Sequence, residues 1–218
     1  MRALQGELQW GAAALGLDLS ALQLTQLLDY LELLQKWGRA YNLTAVRDPR
    51  EMVTHHLLDS LAVIPPLRRY LAQSADVAQP RLLDVGSGAG LPGVVIAVCC
   101  PGVAVSCVDA VAKKVAFIQQ VAVNLKLPLL CGVHARVENL GEKYDVVVSR
   151  AFAALADFTH VSANTLTIGG VWMAMKGKRP DQEIAVLPPQ VRVFHVEQIL
   201  VPGLDAQRCL VWMDRLTT

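Results

Sequence analysis

The sequence predicts an α/β chain with a mostly parallel seven-stranded sheet, an antiparallel hairpin at its edge, and a small helical extension in front. Three observations predict it. From Arg81 onward, short β-rich runs alternate with helix-length stretches, the pattern of βαβ units. The last two strand-like runs follow each other without a clear helix between them, so they are expected to pair antiparallel. Before residue 80 the apolar residues recur at helical spacing instead.

The elements follow in order. Residues 20–38 predict a helix: Ser20 and Gln23 form a capping-box pattern, and Leu24, Leu27, Leu28, Leu31 and Leu34 mark one face. Gly38 and Asn42 punctuate its end. A second start signal is Asp48-Pro49-Arg50-Glu51, with Asp as N-cap, Pro at the first helical position and Glu two further on. That helix is expected to run to about Ile64 and stop at Pro65-Pro66. The polar stretch 73–80 is the best boundary, dividing a helical segment 1–79 from a sheet domain 80–218 within one compact unit. Strands are expected at 82–85, 104–108, 129–133, 145–149, 171–175, 191–196 and 209–213, with helices at 92–99, 112–125 and 155–166.

Composition narrows the function classes. Hydrophobic residues are 53% against 18% charged, which excludes intrinsic disorder. With 20 Lys+Arg to 19 Asp+Glu the net charge is +1, so binding to nucleic acid by bulk charge is excluded but a local basic patch is not. The uncharged run 91–108 is long enough to tempt a membrane reading, but Pro101-Gly102 cuts it into two short elements. Glu7 and Gln9 interrupt any signal-peptide core, so a cytoplasmic protein is expected. The 5 cysteines include no C-x-x-C, and buried thiols are expected rather than disulfides or a zinc site.

The chemistry concentrates at Leu82-Leu83-Asp84-Val85-Gly86-Ser87-Gly88-Ala89-Gly90, an apolar strand entering a glycine-rich turn. Glycine lets backbone approach a ligand because no Cβ stands in the way. A phosphate-cradling P-loop is rejected, since no Gly-Lys-Ser/Thr follows. A dinucleotide fingerprint needs glycine where the chain has Leu91, and Asp84 repels a pyrophosphate. A carboxylate there suits a ligand with an ammonium or hydroxyls, and S-adenosylmethionine offers both. Asp109, about twenty residues past the loop at the end of the next strand, is placed to accept ribose hydroxyls or to cap the following helix. Arg136-Val137-Glu138 follows the third strand and borders the expected adenine pocket, and Arg150 follows the fourth, at the edge where such sheets bind ligands.

Three segments carry a family resemblance. The run Trp37-Gly38-Arg39-Ala40-Tyr41-Asn42-Leu43-Thr44-Ala45-Val46-Arg47-Asp48, then His56-Leu57-Leu58-Asp59-Ser60, then 84–93 resemble the bacterial small-subunit (16S) ribosomal RNA guanine-N7 methyltransferases. Ser149-Arg150-Ala151 and Lys176-Gly177 match later motifs, so the resemblance covers nearly all of the chain from about residue 20. It implies a Rossmann-like class I S-adenosylmethionine-dependent methyltransferase with a helical N-terminal extension, acting on 16S ribosomal RNA or a small-subunit particle. It also implies cofactor contacts at Gly86, Gly88, Gly90, Leu91, Val137, Glu138 and Arg150, to which the loop adds Asp84, Ser87 and Asp109.

Guanine N7 carries a lone pair and no proton, so its methylation requires no general base. Catalysis is expected mainly from in-line alignment. His56 and Asp59, three apart on a helix, are expected to share a face and pair, either over the cofactor pocket or as a pin between helix and sheet. With Arg150 they are the candidate catalytic residues. Arg47, Lys176, Lys178 and Arg179 are the candidate RNA contacts, the last three projecting from the ligand edge of the sheet. No metal is expected, and a monomer is favoured. A methyltransferase on another substrate, or a Rossmann module that binds cofactor or RNA without turnover, remains the alternative.

Overall fold

The computed structural model describes residues 2–41, 43–73, 78–152 and 154–216. Two helices open the chain, α1 (Arg2–Ala14) and α2 (Ala21–Tyr41). The capping box before α2 is reciprocal: the Ser20 N–H donates to Gln23 Oε1 at 3.0 Å, and the Gln23 N–H donates to Ser20 Oγ at 3.2 Å. α2 runs through Gly38 to Tyr41, and Asn42 lies outside the described residues. Asp48 caps α3 (Pro49–Met52) by accepting the Arg50 and Glu51 N–H groups at 2.8 and 3.2 Å, as its sequence predicts.

The helix then departs from expectation. It does not continue unbroken to Ile64 but passes through a π-helical stretch (Val53–Leu58) into α4 (Asp59–Leu61). Pro65-Pro66 does not end it either; both prolines stand in the first turn of α5 (Ile64–Gln73). First-turn N–H groups have no intrahelical acceptor, so proline loses nothing there. Of the expected boundary at 73–80, residues 74–77 lie outside the described residues.

Seven strands follow: β1 (Arg81–Val85), β2 (Ala104–Asp109), β3 (Leu130–His134), β4 (Tyr144–Arg150), β5 (Leu166–Lys176), β6 (Val191–Ile199) and β7 (Arg208–Arg215). Their order is β3-β2-β1-β4-β5-β7-β6. The first five are parallel, and β7 lies antiparallel between β5 and β6. The crossovers carry α6 (Gly93–Cys99), α7 (Ala112–Asn124), α8 (Leu155–Val161) and a short α9 (Asp181–Ala185). The uncharged run 91–108 is thus α6 plus β2, joined by a turn. Among the described residues no helix is long and apolar enough to cross a membrane.

Alternation along each strand sends side chains to two faces. Val146 and Val148 of β4 join a core shared with α2, α6 and α7, whereas Val147 joins the other face with Phe158 of α8. The helical segment packs into the first of these cores through residues such as Leu27, Leu31, Leu57 and Leu61. Strand order reverses between β1 and β4, and at such a switch point the carboxyl ends of the strands open a crevice.

Candidate active site

The glycine loop runs across the carboxyl ends of β1 and β2. The Gly86 and Ser87 N–H groups both donate to Val108 O, at 3.0 and 3.1 Å, and the Gly88 N–H donates to Asp109 Oδ2 at 3.0 Å. Gly90 has φ +88°, and a Cβ there would lie 2.6 Å from Val94 Cγ2. Only glycine meets both conditions. Asp109 also accepts the Val111 N–H at 2.9 Å through Oδ1, with Lys114 Nζ 3.4 Å from Oδ2. Its expected capping role shifts accordingly: the N-cap residue of α7 is Val111, and Asp109 ties the loop to the turn before that helix. Leu91 and Val137 are buried, and Glu138 is exposed on the 3-10 turn that follows β3.

Asp84 sits behind this loop, fully buried. Its Oδ2 accepts the Gly93 N–H at 2.8 Å, while Oδ1 has no hydrogen-bond partner among the described residues. Burial pushes its carboxyl up to about 7, against the opposing pull of the Gly93 N–H and the Arg150 charge. The packing is close, since a Cβ on Gly93 would lie 2.4 Å from Cys107 Sγ. Sequence reasoning missed one support of the loop. Tyr30, buried in α2, donates its hydroxyl to Ala89 O at 2.9 Å, so the helical segment holds the glycine turn directly. Nothing distinguishes that tyrosine from an ordinary core residue in the amphipathic pattern of α2.

A second feature lies beside the loop, past β4. Register places Arg150 opposite Met175, and Lys176 opposite Cys209, so the ends of β4 and β5 and the start of β7 share one edge. They line a cleft of about 330 Å³ with His55, His56, Asp59, Arg150, Lys176 and Arg208 among its walls. The histidines and Asp59 reach it because α3, the π-helical stretch and α4 lie over the strand ends; π-helical turns recur at functional sites. Ala151, a non-glycine residue, holds φ +62° directly after Arg150, a conformation that costs energy and persists only where its surroundings enforce it. A larger cavity, about 870 Å³ and lined by Lys143, Leu166, Arg192 and Arg215, opens at the opposite end of the strands.

The expected His56–Asp59 pair does not form. His56 Nε2 lies 2.7 Å from Thr44 Oγ1, which also accepts the Val46 N–H at 3.1 Å, and His56 Nδ1 has no hydrogen-bond partner among the described residues. Burial, reinforced by Arg150, pushes the imidazole down to about 4, so it is neutral near pH 7. Asp59 instead accepts from two arginines, Arg150 Nη1 at 3.1 Å and Arg208 Nε at 2.8 Å.

The candidate RNA contacts separate. Lys176 does not project freely: its side chain is 11% exposed and donates to Phe152 O at 3.1 Å and Glu183 Oε2 at 2.8 Å. Lys178 and Arg179 are exposed, with Arg179 paired to Asp181 at 2.7 Å. Arg47 donates to Gly38 O at 3.1 Å and lines a different pocket, with Gln35 and Met52. Among the described residues no group of three His, Cys, Asp or Glu side chains is placed to hold a metal ion.

Comparison with known proteins accords with this geometry. The magnesium protoporphyrin IX methyltransferase ChlM from Synechocystis PCC 6803, solved with bound SAM, superposes with a TM-score of 0.58 at 11% identity, covering 86% of this chain and 97% of that one. TrmN from Thermus thermophilus gives 0.54 at 18% identity, over 75% of this chain and 53% of its own. At such identities the likeness shows the fold, that of class I methyltransferases. Sequence relatives are much nearer. The ribosomal RNA small subunit methyltransferase G of Acidovorax sp. (strain JS42) is 66% identical over 210 residues, spanning 94% of this chain and 93% of the relative. That of Polaromonas sp. (strain JS666) is 63% identical over 213 residues, spanning 98% and 94%. A family model described as rRNA small subunit methyltransferase G, GidB, matches residues 23–211, and the chain belongs to that family.

Proposed function

We propose that the chain transfers a methyl group from S-adenosylmethionine to N7 of one guanine in 16S ribosomal RNA. The observation that carries this reading is adjacency: a backbone-lined glycine loop at β1 and β2 stands next to a cationic cleft at β4, β5 and β7. One half suits a ligand with hydroxyls and an ammonium, and the other suits the anionic backbone of RNA.

The residues fit the cofactor. The enclosed loop leaves backbone exposed where no side chain intrudes, and Asp84 Oδ1 is a buried acceptor without a donor. Gly86, Ser87, Gly88, Gly90, Leu91 and Asp109 would hold it, with Val137 and Glu138 at the adenine side, and it supplies a methyl carbon made electrophilic by an adjacent sulfonium. The protein's own part is placement. N7 has a free lone pair, so no side chain has to remove a proton, and a neutral His56 in the cleft wall is consistent with that. Arg150 orients an anionic group beside the loop through a planar guanidinium fork. Lys178 and Arg179 meet phosphates at the rim, and Arg47 extends the contact around the helical segment. The segment 1–79 is thereby a cap over the methyltransferase domain 80–218.

The RNA major groove is too narrow for side chains, so the substrate is an exposed nucleotide, presented by the folded RNA or the small-subunit particle. The enzyme works in the cytoplasm. The test is labelled methyl transfer from S-adenosylmethionine to small-subunit particles and to a naked hairpin. Transfer to a single guanine N7 in the particle, with the hairpin poorly modified, is expected. Transfer to another atom, or none, overturns the reading.

A further inference from the structure

We infer that Asp59 is a positioning residue whose buried carboxylate sets two guanidiniums, Arg150 and Arg208, side by side, and that Arg208 is thereby a substrate-contacting residue of the cleft. The inference rests on the methyl-transfer reading for the identity of the substrates.

The carboxylate is divided between the two arginines. Oδ2 accepts from Arg150 Nη1 at 3.1 Å, and Oδ1 accepts from Arg208 Nε at 2.8 Å. The Asp59 side chain is 5% exposed, whereas Arg150 and Arg208 are 24% and 26% exposed. The acid is therefore inside and the two cations face outward. One carboxylate against two guanidiniums leaves an excess of one positive charge, and the neighbouring Lys176–Glu183 pair adds none. Carbonyls take part of the remaining donor capacity: Arg150 Nη1 also donates to His55 O at 3.2 Å, and Arg208 Nη1 to Gln207 O at 2.9 Å. Arg150 Nε and Nη2, and Arg208 Nη2, make no further hydrogen bond among the described residues. Paired forks with spare donors and an uncompensated charge match phosphate or carboxylate oxygens.

Topology explains why a third residue is needed. Arg150 ends β4 and Arg208 begins β7, each paired to the intervening β5, so the ladders fix their backbones one strand apart and leave the long side chains to be set by another group. Asp59 comes from the helical segment and spans that gap. A pair of arginines without it would repel and sample many rotamers. The cofactor carboxylate and an RNA phosphate are the two anions of the proposed reaction, which gives each guanidinium a partner.

A purely structural pin between helix and sheet would change stability alone. The test is a double-mutant cycle of Asp59→Asn and Arg208→Gln, reading kcat and KM for the small-subunit particle together with thermal midpoint. Asp59→Asn is expected to lower kcat/KM about 100-fold in the wild-type background, as misplacement of aligned groups does. In the Arg208→Gln background the same change costs at least about tenfold less, because one of its two targets is gone and only Arg150 remains to be placed. Full additivity, or a lowered midpoint with kcat/KM unchanged, overturns the inference. Should Asp59→Asn fail to fold, Arg208→Lys decides: it keeps the charge but loses the fork. A KM for the particle raised about tenfold supports the inference and an unchanged KM overturns it. Wild-type protein that transfers no methyl group to the particle would sink the functional reading instead, so the two failures are distinguishable.

Discussion

The two halves of the sheet's carboxyl edge are made of different materials. Beside β1 and β2, the loop is held by backbone N–H groups on Val108 O and Asp109, with Tyr30 and Asp84 as supports. Beside β4, β5 and β7, the cleft is held by long cationic side chains tied to Asp59 and Glu183. The first half is set by glycine conformations and by ordinary hydrogen bonds from a local stretch of backbone. The second is shaped by charge pairs that a change of one residue can release. A small ligand with fixed geometry suits the first, and a large anionic partner suits the second. Near-neutral net charge is compatible with RNA binding on these terms, because a few cations, Arg150, Lys176 and Arg208 among them, stand together at that edge.

Substitutions that act on one half alone can break this contrast. The largest effect is expected from Gly90→Val, which combines a disfavoured φ with a clash against Val94 and introduces strain of about 1–3 kcal/mol. S-adenosylmethionine affinity, measured by calorimetry, should fall by more than about 100-fold, while RNA affinity at the cleft persists. Equal loss of both would mean that the halves do not act separately. Next comes the double reversal Lys178→Glu with Arg179→Glu. The salt slope of RNA binding should fall by about 2 with cofactor affinity unchanged; an unaltered slope would remove both residues from the interface.

The smallest effect sharpens the contrast through pH. The Asp84 carboxyl lies at about 7 in the fold and at 3.8 ordinarily, so the folded chain keeps a proton that the unfolded chain releases. The stability it contributes is complete below about pH 4 and is lost as pH rises through about 7. Asp84→Asn stays neutral and keeps an acceptor for Gly93. Its thermal midpoint relative to wild type should therefore be higher at about pH 8 than at about pH 5. A gap independent of pH would mean that Asp84 is not the buried acid behind the loop. His56 has the opposite sign: with its imidazole held down at about 4, its contribution is present above about pH 6.5 and lost as pH falls through about 4.

Much of the first half was legible in the sequence because its parts are local. The residues from Asp84 to Gly93 fall within one short segment, and the apolar runs of β1 and β2 lead directly into the loop and into Asp109. The caps at Ser20 and Asp48 were legible for the same reason. The second half depends on contacts that no spacing rule encodes. Asp59 meets partners 91 and 149 residues away, whereas the i, i+3 spacing pointed to His56. The π-helical stretch widens the turn on which those two residues sit, and His56 meets Thr44 instead. The run Lys176-Gly177-Lys178-Arg179 reads as one patch, yet Lys176 is turned into the fold by Glu183. Pro65-Pro66 reads as a stop because proline both ends helices and begins them, and packing of Ile64 and Leu67 selects the second.

The most direct measurement is mass mapping of N7-methylated guanines in 16S ribosomal RNA from cells with and without this protein. One guanine should lose its N7 methyl group without the protein, regain it with the wild type, and not regain it with Gly90→Val. An identical methylation profile in both cells, or a change at an atom other than N7, would contradict the account.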